Sequence, residues 1–123
     1  MNRRLSWMLA VVFVLALGLL WVQRPAEAIP PFQKEFVKMY VQPGSPLEAQ
    51  VKKVKCNICH KGKKKKNRNA YGQALAKLLD RKKDKKNVEK IRKALKQVES
   101  QSATPGGPTF GELLRAGKLP ATE

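Results

Sequence analysis

Apolar residues after position 28 recur at helical rather than strand spacing. Phe32, Phe36 and Tyr40 repeat every four residues, which predicts a first short amphipathic helix, closed by the turn sequence QPGSP at 42–46. No segment alternates β-branched and polar residues as a half-buried strand does. The pattern therefore predicts an all-α domain of four or five short helices.

A second helix is predicted to start after Ser45. Ser45 is a suitable N-cap, Pro46 suits the first helical position, and Glu48 is expected to bond back to the cap. The apolar residues that share one face of this helix are Leu47, Val51, Val54 and Ile58. The helix is expected to lead directly into the two cysteines of the chain.

Two further helices are predicted around a polar hinge, DRKKDKKN at 80–87. The helix before it, 70–79, places these residues on one side: Tyr71, Leu75, Leu78 and Leu79. The helix after it, 88–99, has a narrow apolar stripe: Val88, Ile91, Leu95 and Val98. Asp84 and Asn87 are the two candidate caps for the later helix.

A last short helix is predicted near the end of the chain. The sequence TFGE at 109–112 repeats the pattern of a capping threonine followed by a glutamate. Leu113 and Leu114 supply its apolar side, and Gly117 and Pro120 are expected to stop it.

The first 28 residues have the layout of a secretory signal peptide. A short positive start precedes the apolar run Leu9–Val22, and the sequence AEA at 26–28 fits a cleavage site before Ile29. The run is shorter than the ~20 residues of a spanning helix, but counting it from Leu5 leaves an uncleaved N-terminal anchor as the alternative. Residues 29–123 are expected to form one exported domain, periplasmic or otherwise extracytoplasmic.

Composition limits what this domain can bury. The 123-residue chain has 26 basic and 9 acidic residues and a net charge of +17, and both tryptophans, Trp7 and Trp21, lie in the leader. Such a small, lysine-rich domain normally needs a disulfide, a metal or a large cofactor to stabilise it.

Both cysteines and the only histidine lie in the sequence CNICH: Cys56, Cys59 and His60. C-x-x-C-H is the spacing of c-type haem attachment. On a helical turn the three residues share one side, so that each thiol can form a thioether with a haem vinyl group and the imidazole can reach the iron.

Three other chemistries fit this sequence less well. A Cys56–Cys59 disulfide closes too small a loop to stabilise much. A redox dithiol needs a βαβ setting, for which no strand is predicted. A zinc site lacks a fourth cysteine or histidine. The sequence therefore favours covalent haem.

The sequence CNICH, the Gly/Lys loop after it and RNAYG at 68–72 resemble small exported bacterial cytochrome-c-like domains. The resemblance covers 32–79 and, more weakly, FGEL at 110–113. It implies a cytochrome-c-like fold around one covalently bound haem c, with thioethers at Cys56 and Cys59 and His60 as axial ligand. Apolar residues suited to form the haem wall are Leu47, Val51, Ile58, Tyr71, Leu75 and Phe110.

The chain departs from that family on both sides of the iron. No methionine follows Met39 and there is no second histidine, so the sixth ligand is Met39, a lysine amine, the amine of Ile29, Tyr71 or water. The loop after His60 lacks the proline whose carbonyl usually orients the imidazole. A backbone carbonyl between Lys61 and Asn69 is expected to accept from the ring instead.

Lysines follow the cysteine motif closely: Lys61, Lys63, Lys64, Lys65 and Lys66. They are predicted to steer an acidic redox protein towards the haem edge, with an anionic membrane surface as the competing partner. A second basic cluster, 81–96, is interpreted as a solvated face. No nucleic acid partner is expected, because the domain is exported and no aromatic residues are interleaved for stacking.

The predicted function is that of an exported monohaem c-type cytochrome, an electron carrier rather than an enzyme. The alternative is a haem-based ligand binder, sensor or weak peroxidase with an open distal site. A third hypothesis, a haem-free basic interaction module, predicts that the domain folds without its cysteines.

Overall fold

The computed structural model describes residues 30–120, so the predicted leader lies outside the described residues. Its elements are α1 (Pro31–Tyr40), α2 (Pro46–Val54), a 3₁₀ turn (Lys55–Ile58), α3 (Ala70–Ala76), α4 (Val88–Val98) and α5 (Phe110–Arg115). Within this range there is no strand, only isolated bridges between His60 and Arg68 and between Ser102 and Thr109. The prediction of an all-α fold is confirmed.

Four of the helices begin at a side-chain cap. Each cap oxygen accepts a hydrogen bond from the backbone N–H three residues later, which satisfies a donor that the first turn leaves free. The caps are Ser45, Asn69, Asn87 and Thr109. Thr109 and Glu112 complete the predicted reciprocal capping box at α5.

Of the two candidate caps for α4, Asn87 is the one that caps it. Two local predictions are wrong. The Glu48 side chain accepts from Gly44 N (2.7 Å) rather than from Ser45. The third helix ends at Ala76 rather than at residue 79. The chain leaves the helical path there, and the Asp80 N–H donates to the buried Asp84 carboxylate (2.7 Å).

Tyr71 lies at the centre of the core. Its ring centroid is 5.9 Å from that of Phe36 on α1 and 5.2 Å from that of Phe110 on α5. Helix α4 packs against both α1 and α3. Of its predicted apolar stripe, Ile91, Leu95 and Val98 are buried, but Val88, the first residue of the helix, is 44% exposed.

Two side-chain bonds tie α1 to the region of α4. Arg92 Nε donates to Glu35 Oε2 (2.8 Å), and the Tyr40 hydroxyl donates to Glu99 Oε1 (2.7 Å). The Arg92 guanidinium outweighs the opposing effect of burial and, with the Lys38 ammonium, holds the pKa of Glu35 below its usual 4.5. The position of α1 over the core is therefore fixed by ionic as well as apolar contacts. No helix between residues 30 and 120 is long and apolar enough to cross a lipid bilayer.

Candidate functional site

The cysteines lie in a tight turn at the end of α2, residues 55–60, which is here called the cysteine turn. The helix leads into the motif as predicted, but it ends at Val54 and the backbone bends at Lys55, where φ is 50°. A left-handed residue with a side chain costs about 1–3 kcal/mol, and such strain is tolerated where the surroundings enforce it. The turn is closed by hydrogen bonds from Cys59 N (3.3 Å) and His60 N (3.2 Å) to the Cys56 carbonyl.

The two cysteines are free thiols, each half-buried. Burial, and secondarily the neighbouring Cys56, raises the pKa of Cys59 to about 12. Cys59 is therefore a neutral thiol at physiological pH. A thioredoxin-like dithiol depends on a lowered cysteine pKa, and Cys59 has the opposite shift.

His60 is half-buried, and its Nδ1 atom is buried without a hydrogen-bond partner among the described residues. The expected carbonyl acceptor between Lys61 and Asn69 is not found. In that loop the Asn67 carbonyl instead accepts from Lys61 N (2.9 Å) and the Lys64 carbonyl from Asn67 N (2.9 Å). A buried polar atom without a partner costs about 1–3 kcal/mol, so the protein around this imidazole leaves it incompletely satisfied.

Asn69 fastens the cysteine turn to the start of α3. Its Nδ2 donates to the carbonyls of Asn57 (3.2 Å) and Ile58 (2.9 Å), and its backbone N donates to that of Cys59 (3.1 Å). Its Oδ1 accepts from Gly72 N (2.9 Å) as the cap of α3. The sequence prediction named no role for Asn69. The signal that could have found its capping role is an asparagine immediately before a helix.

Gly72 allows α3 to approach the turn. A Cβ built on Gly72 would overlap the Cys59 carbonyl oxygen and lie 2.8 Å from its carbon. No other residue fits there without moving the backbone. The N-x-Y-G sequence thus has a physical function here: Asn69 binds the turn, Tyr71 anchors the core and Gly72 leaves room for contact.

The residues predicted to pack against a haem belong to one core cluster. Ile58, Tyr71 and Leu75 are 2%, 0% and 5% exposed. The Tyr71 hydroxyl is buried and, like His60 Nδ1, has no hydrogen-bond partner among the described residues. Burial, with a smaller effect from Cys59, strongly raises the pKa of Tyr71, so its hydroxyl stays protonated. Which atoms of this cluster would touch a haem stays a prediction.

Met39 lies in a groove of about 580 Å³ that none of the motif residues lines. The groove runs between the end of α1, the start of α2 and α5, and its wall includes Tyr40, Leu47, Glu99 and Arg115. Cys56, Cys59 and His60 are not part of that wall. The structure therefore does not bring Met39 together with His60 around this groove.

The lysines after the motif lie on a loop whose ends are joined by the His60–Arg68 bridge, and residues 61–68 are here called the basic loop. All of its residues are exposed and none is acidic. The acidic residues elsewhere mostly bind lysine, arginine, hydroxyl or backbone N–H groups: Glu35, Glu48, Asp80, Asp84, Glu99 and Glu112. Little negative charge is left to offset the basic loop beside His60.

The donor set of the motif fits haem better than a bare metal ion. Between residues 30 and 120, no three histidine, cysteine or acidic side chains come together as possible ligands of one ion. Zinc held by Cys56, Cys59 and His60 would need such a group. Haem attachment makes a different demand, since the sulfurs bond to carbon and only the imidazole bonds to iron. Two free thiols and an imidazole with an unpartnered buried nitrogen meet that demand.

Comparisons with known proteins give no family assignment. No protein-family model matches the chain, and searches of curated proteins and of solved structures return no match either. The class of protein must therefore be inferred from the chain's own residues.

Proposed function

We propose that the chain is an exported monohaem c-type cytochrome that carries single electrons between partners. The observation that carries the proposal is the cysteine turn itself. It presents two free, half-buried thiols next to an imidazole whose buried nitrogen has no partner among the described residues. The all-α setting with one small core is compatible with a haem as an added part of that core.

Cys56 and Cys59 are the proposed covalent anchors. Each S–H would add across one haem vinyl double bond: a sulfur–carbon bond would form at one vinyl carbon, and a hydrogen would be added to the other. No group leaves and no oxidant is consumed.

His60 is the proposed axial ligand, giving one imidazole nitrogen to the iron. When bound, the haem supplies the one-electron couple between Fe(III) and Fe(II). Ile58, Tyr71 and Leu75 are proposed to pack on the macrocycle and exclude water from it, since all three are buried next to the turn. Excluding water tunes the potential of an iron centre.

The basic loop is proposed to steer an acidic redox protein, or an anionic membrane surface, to the side of the molecule that holds His60. Its lysines are exposed, and the loop starts at the residue next to His60. Charges of one sign around a binding surface raise the association rate, and salt weakens the effect.

A second candidate function is a haem-based ligand binder, sensor or weak peroxidase with an open distal site. The position of Met39 supports it, because the groove that Met39 lines includes none of the motif residues. The reduced protein would then bind carbon monoxide rapidly at the sixth position. An iron already bound by Met39 would bind it slowly, and its oxidised form would show a weak far-red band.

Haem retention tests the proposal. The full chain is co-expressed with a haem-attachment system, and the mature protein is extracted with acidic acetone and run on a denaturing gel. We expect the haem to stay with the polypeptide. The double variant Cys56→Ser/Cys59→Ser is the matched control and should lose all of it. Haem that is extracted from the wild-type protein, or never found in it, contradicts the proposal.

A further inference from the structure

We propose that Asn69 is a positioning residue for haem attachment, which sets the spacing of the two thiols by holding the backbone between them. This inference rests on the function proposed above. Asn69 makes no hydrogen bond to either thiol. It acts through three consecutive carbonyl groups of the cysteine turn: those of Asn57, Ile58 and Cys59.

One residue satisfies all three carbonyls. The carboxamide nitrogen donates to Asn57 O (3.2 Å) and Ile58 O (2.9 Å), while the backbone N–H donates to Cys59 O (3.1 Å). Carbonyls at the end of a helical turn otherwise lack an intrahelical partner. Since Asn57 and Ile58 are the two residues between the cysteines, fixing their peptide planes restricts how far the two sulfur atoms can move apart.

These three hydrogen bonds from Asn69, here called the clamp, start from the N-terminus of helix α3, which gives them a rigid base. The Asn69 Oδ1 atom accepts from Gly72 N (2.9 Å), so the same side chain that binds the turn also caps the helix. Gly72 lets the helix contact the Cys59 carbonyl directly, where a Cβ would lie 2.8 Å from the carbonyl carbon. Tyr71, wholly buried between Phe36 and Phe110, anchors this first turn in the core. The turn is therefore held against an element that cannot easily shift.

The chemistry of attachment explains why such a clamp matters. The two vinyl groups are at fixed positions on a rigid macrocycle, so after the first thioether forms the second sulfur must already lie near its own vinyl carbon. Orientation of this kind can change a rate by orders of magnitude. A loosened turn should still make one bond and then fail to make the second.

The capping and clamping roles of Asn69 can be separated by substitution. Asn69→Asp keeps a good helix cap but has no N–H to donate to the two carbonyls. Asn87→Ala is the control for lost stability, because Asn87 caps α4 through Lys90 N (3.0 Å) and its cap bond lies outside the cysteine turn. It removes a helix cap without any change to the turn, and so shows what a loss of stability alone does to attachment.

The test is the number of thioethers per haem-bearing chain. Each full-length variant is matured with the haem-attachment system, denatured, treated with a thiol-alkylating reagent and analysed by intact mass and peptide mapping. We expect Asn69→Asp to raise the fraction of chains with one attached and one alkylated cysteine about tenfold over wild type, as the loss of two hydrogen bonds would bring. Asn87→Ala should leave that fraction unchanged while lowering thermal stability.

Each outcome decides a separate question. Wild-type protein without covalent haem overturns the proposed function and this inference with it. Wild-type and Asn69→Asp proteins with the same singly attached fraction overturn the inference alone, and so does an equal rise in Asn87→Ala. If Asn69→Asp does not accumulate, Asn69→Ser replaces it, since serine caps equally well and is too short to bind both carbonyls. The same rise is expected for it, and an unchanged fraction overturns the inference.

Discussion

Gly72 and the carbonyl of Cys59 are in direct contact, with no room for a side chain between them. This contact joins the helix that starts with N-x-Y-G to the turn that carries the two thiols. The glycine of N-x-Y-G is therefore required by the structure of the cysteine turn, and not only by a resemblance between sequences.

Gly72→Ala should therefore damage both the fold and the site. The new methyl group would overlap backbone rather than a movable side chain, so we expect a loss of about 1–3 kcal/mol or more in the free energy of unfolding, the range for overpacked sites. Gly107→Ala is the control, because its Cβ would overlap only the Thr104 hydroxyl (2.5 Å), a group that can rotate away, and its nearest backbone atom, the Thr104 carbonyl oxygen, is at 3.2 Å. Denaturant unfolding measures both variants, and equal losses would contradict the contact.

The carboxyl group of Glu35 should make stability depend on pH in the acid range. Arg92 holds its pKa below the usual 4.5 despite burial. A lowered acid pKa stabilises the fold above the unfolded value of 4.5, and that stability is lost as the pH falls through the lower, folded value. Glu35→Gln should be less stable than wild type at neutral pH and should lose less on acidification.

Unfolding curves between neutral and strongly acidic pH test this. The control is Glu89→Gln, which removes an exposed acid from α4, the helix that carries Arg92. It should behave like wild type throughout. A Glu35→Gln protein that loses as much stability as wild type on acidification would show that the Arg92 ion pair does not have the predicted effect.

The basic loop should govern how fast an acidic redox partner binds. Changing Lys63, Lys64, Lys65 and Lys66 to glutamine should lower the second-order rate of electron transfer about tenfold at low salt, and the difference should shrink as salt screens the charges. The control changes the same number of lysines on the hinge before α4: Lys82, Lys83, Lys85 and Lys86. Stopped-flow mixing across ionic strengths measures both. Equal losses would mean that net charge, rather than this loop, controls the encounter.

Met39→Leu tests whether Met39 is the sixth ligand. Because Met39 lines a groove that excludes the motif residues, we expect that it is not, and that reduced Met39→Leu binds carbon monoxide at the same rate as the reduced wild-type protein. A weak far-red band in the oxidised wild type that vanishes in Met39→Leu would show that Met39 does bind the iron. Leucine keeps most of the side-chain volume, so packing should change little.

Local signals made most of the fold predictable from sequence. Ser45 and Thr109 indicate where their helices begin, because a capping oxygen binds a backbone N–H only a few residues away. Apolar spacing identified the buried faces of α1, α2 and most of α4. The early end of α3 was not predictable, because Asp84 binds the Asp80 N–H from beyond the helix. Pattern alone also could not show that Val88 would be left 44% exposed.

The chemistry proposed for the site comes from the sequence, but the contacts that hold the site in place could not be predicted. The spacing of Cys56, Cys59 and His60 is local and could be interpreted directly. The clamp by Asn69 depends on carbonyls 11 and 12 positions earlier in the chain, and no periodicity encodes such a contact. The carbonyl partner expected for the His60 ring was wrong for the same reason: the Lys64 and Asn67 carbonyls accept from within the loop, and that of Arg68 accepts from Gln73 on α3.

The pyridine haemochrome spectrum of the natively matured full-length protein tests the central claim most directly. The spectrum depends on whether the two vinyl groups of the haem have been converted to thioethers, whatever the sixth ligand is. The account predicts the spectrum of a haem attached through both vinyl groups, with one haem per chain, and loss of all haem in Cys56→Ser/Cys59→Ser. A spectrum of haem with free vinyl groups, or no haem at all, would contradict it.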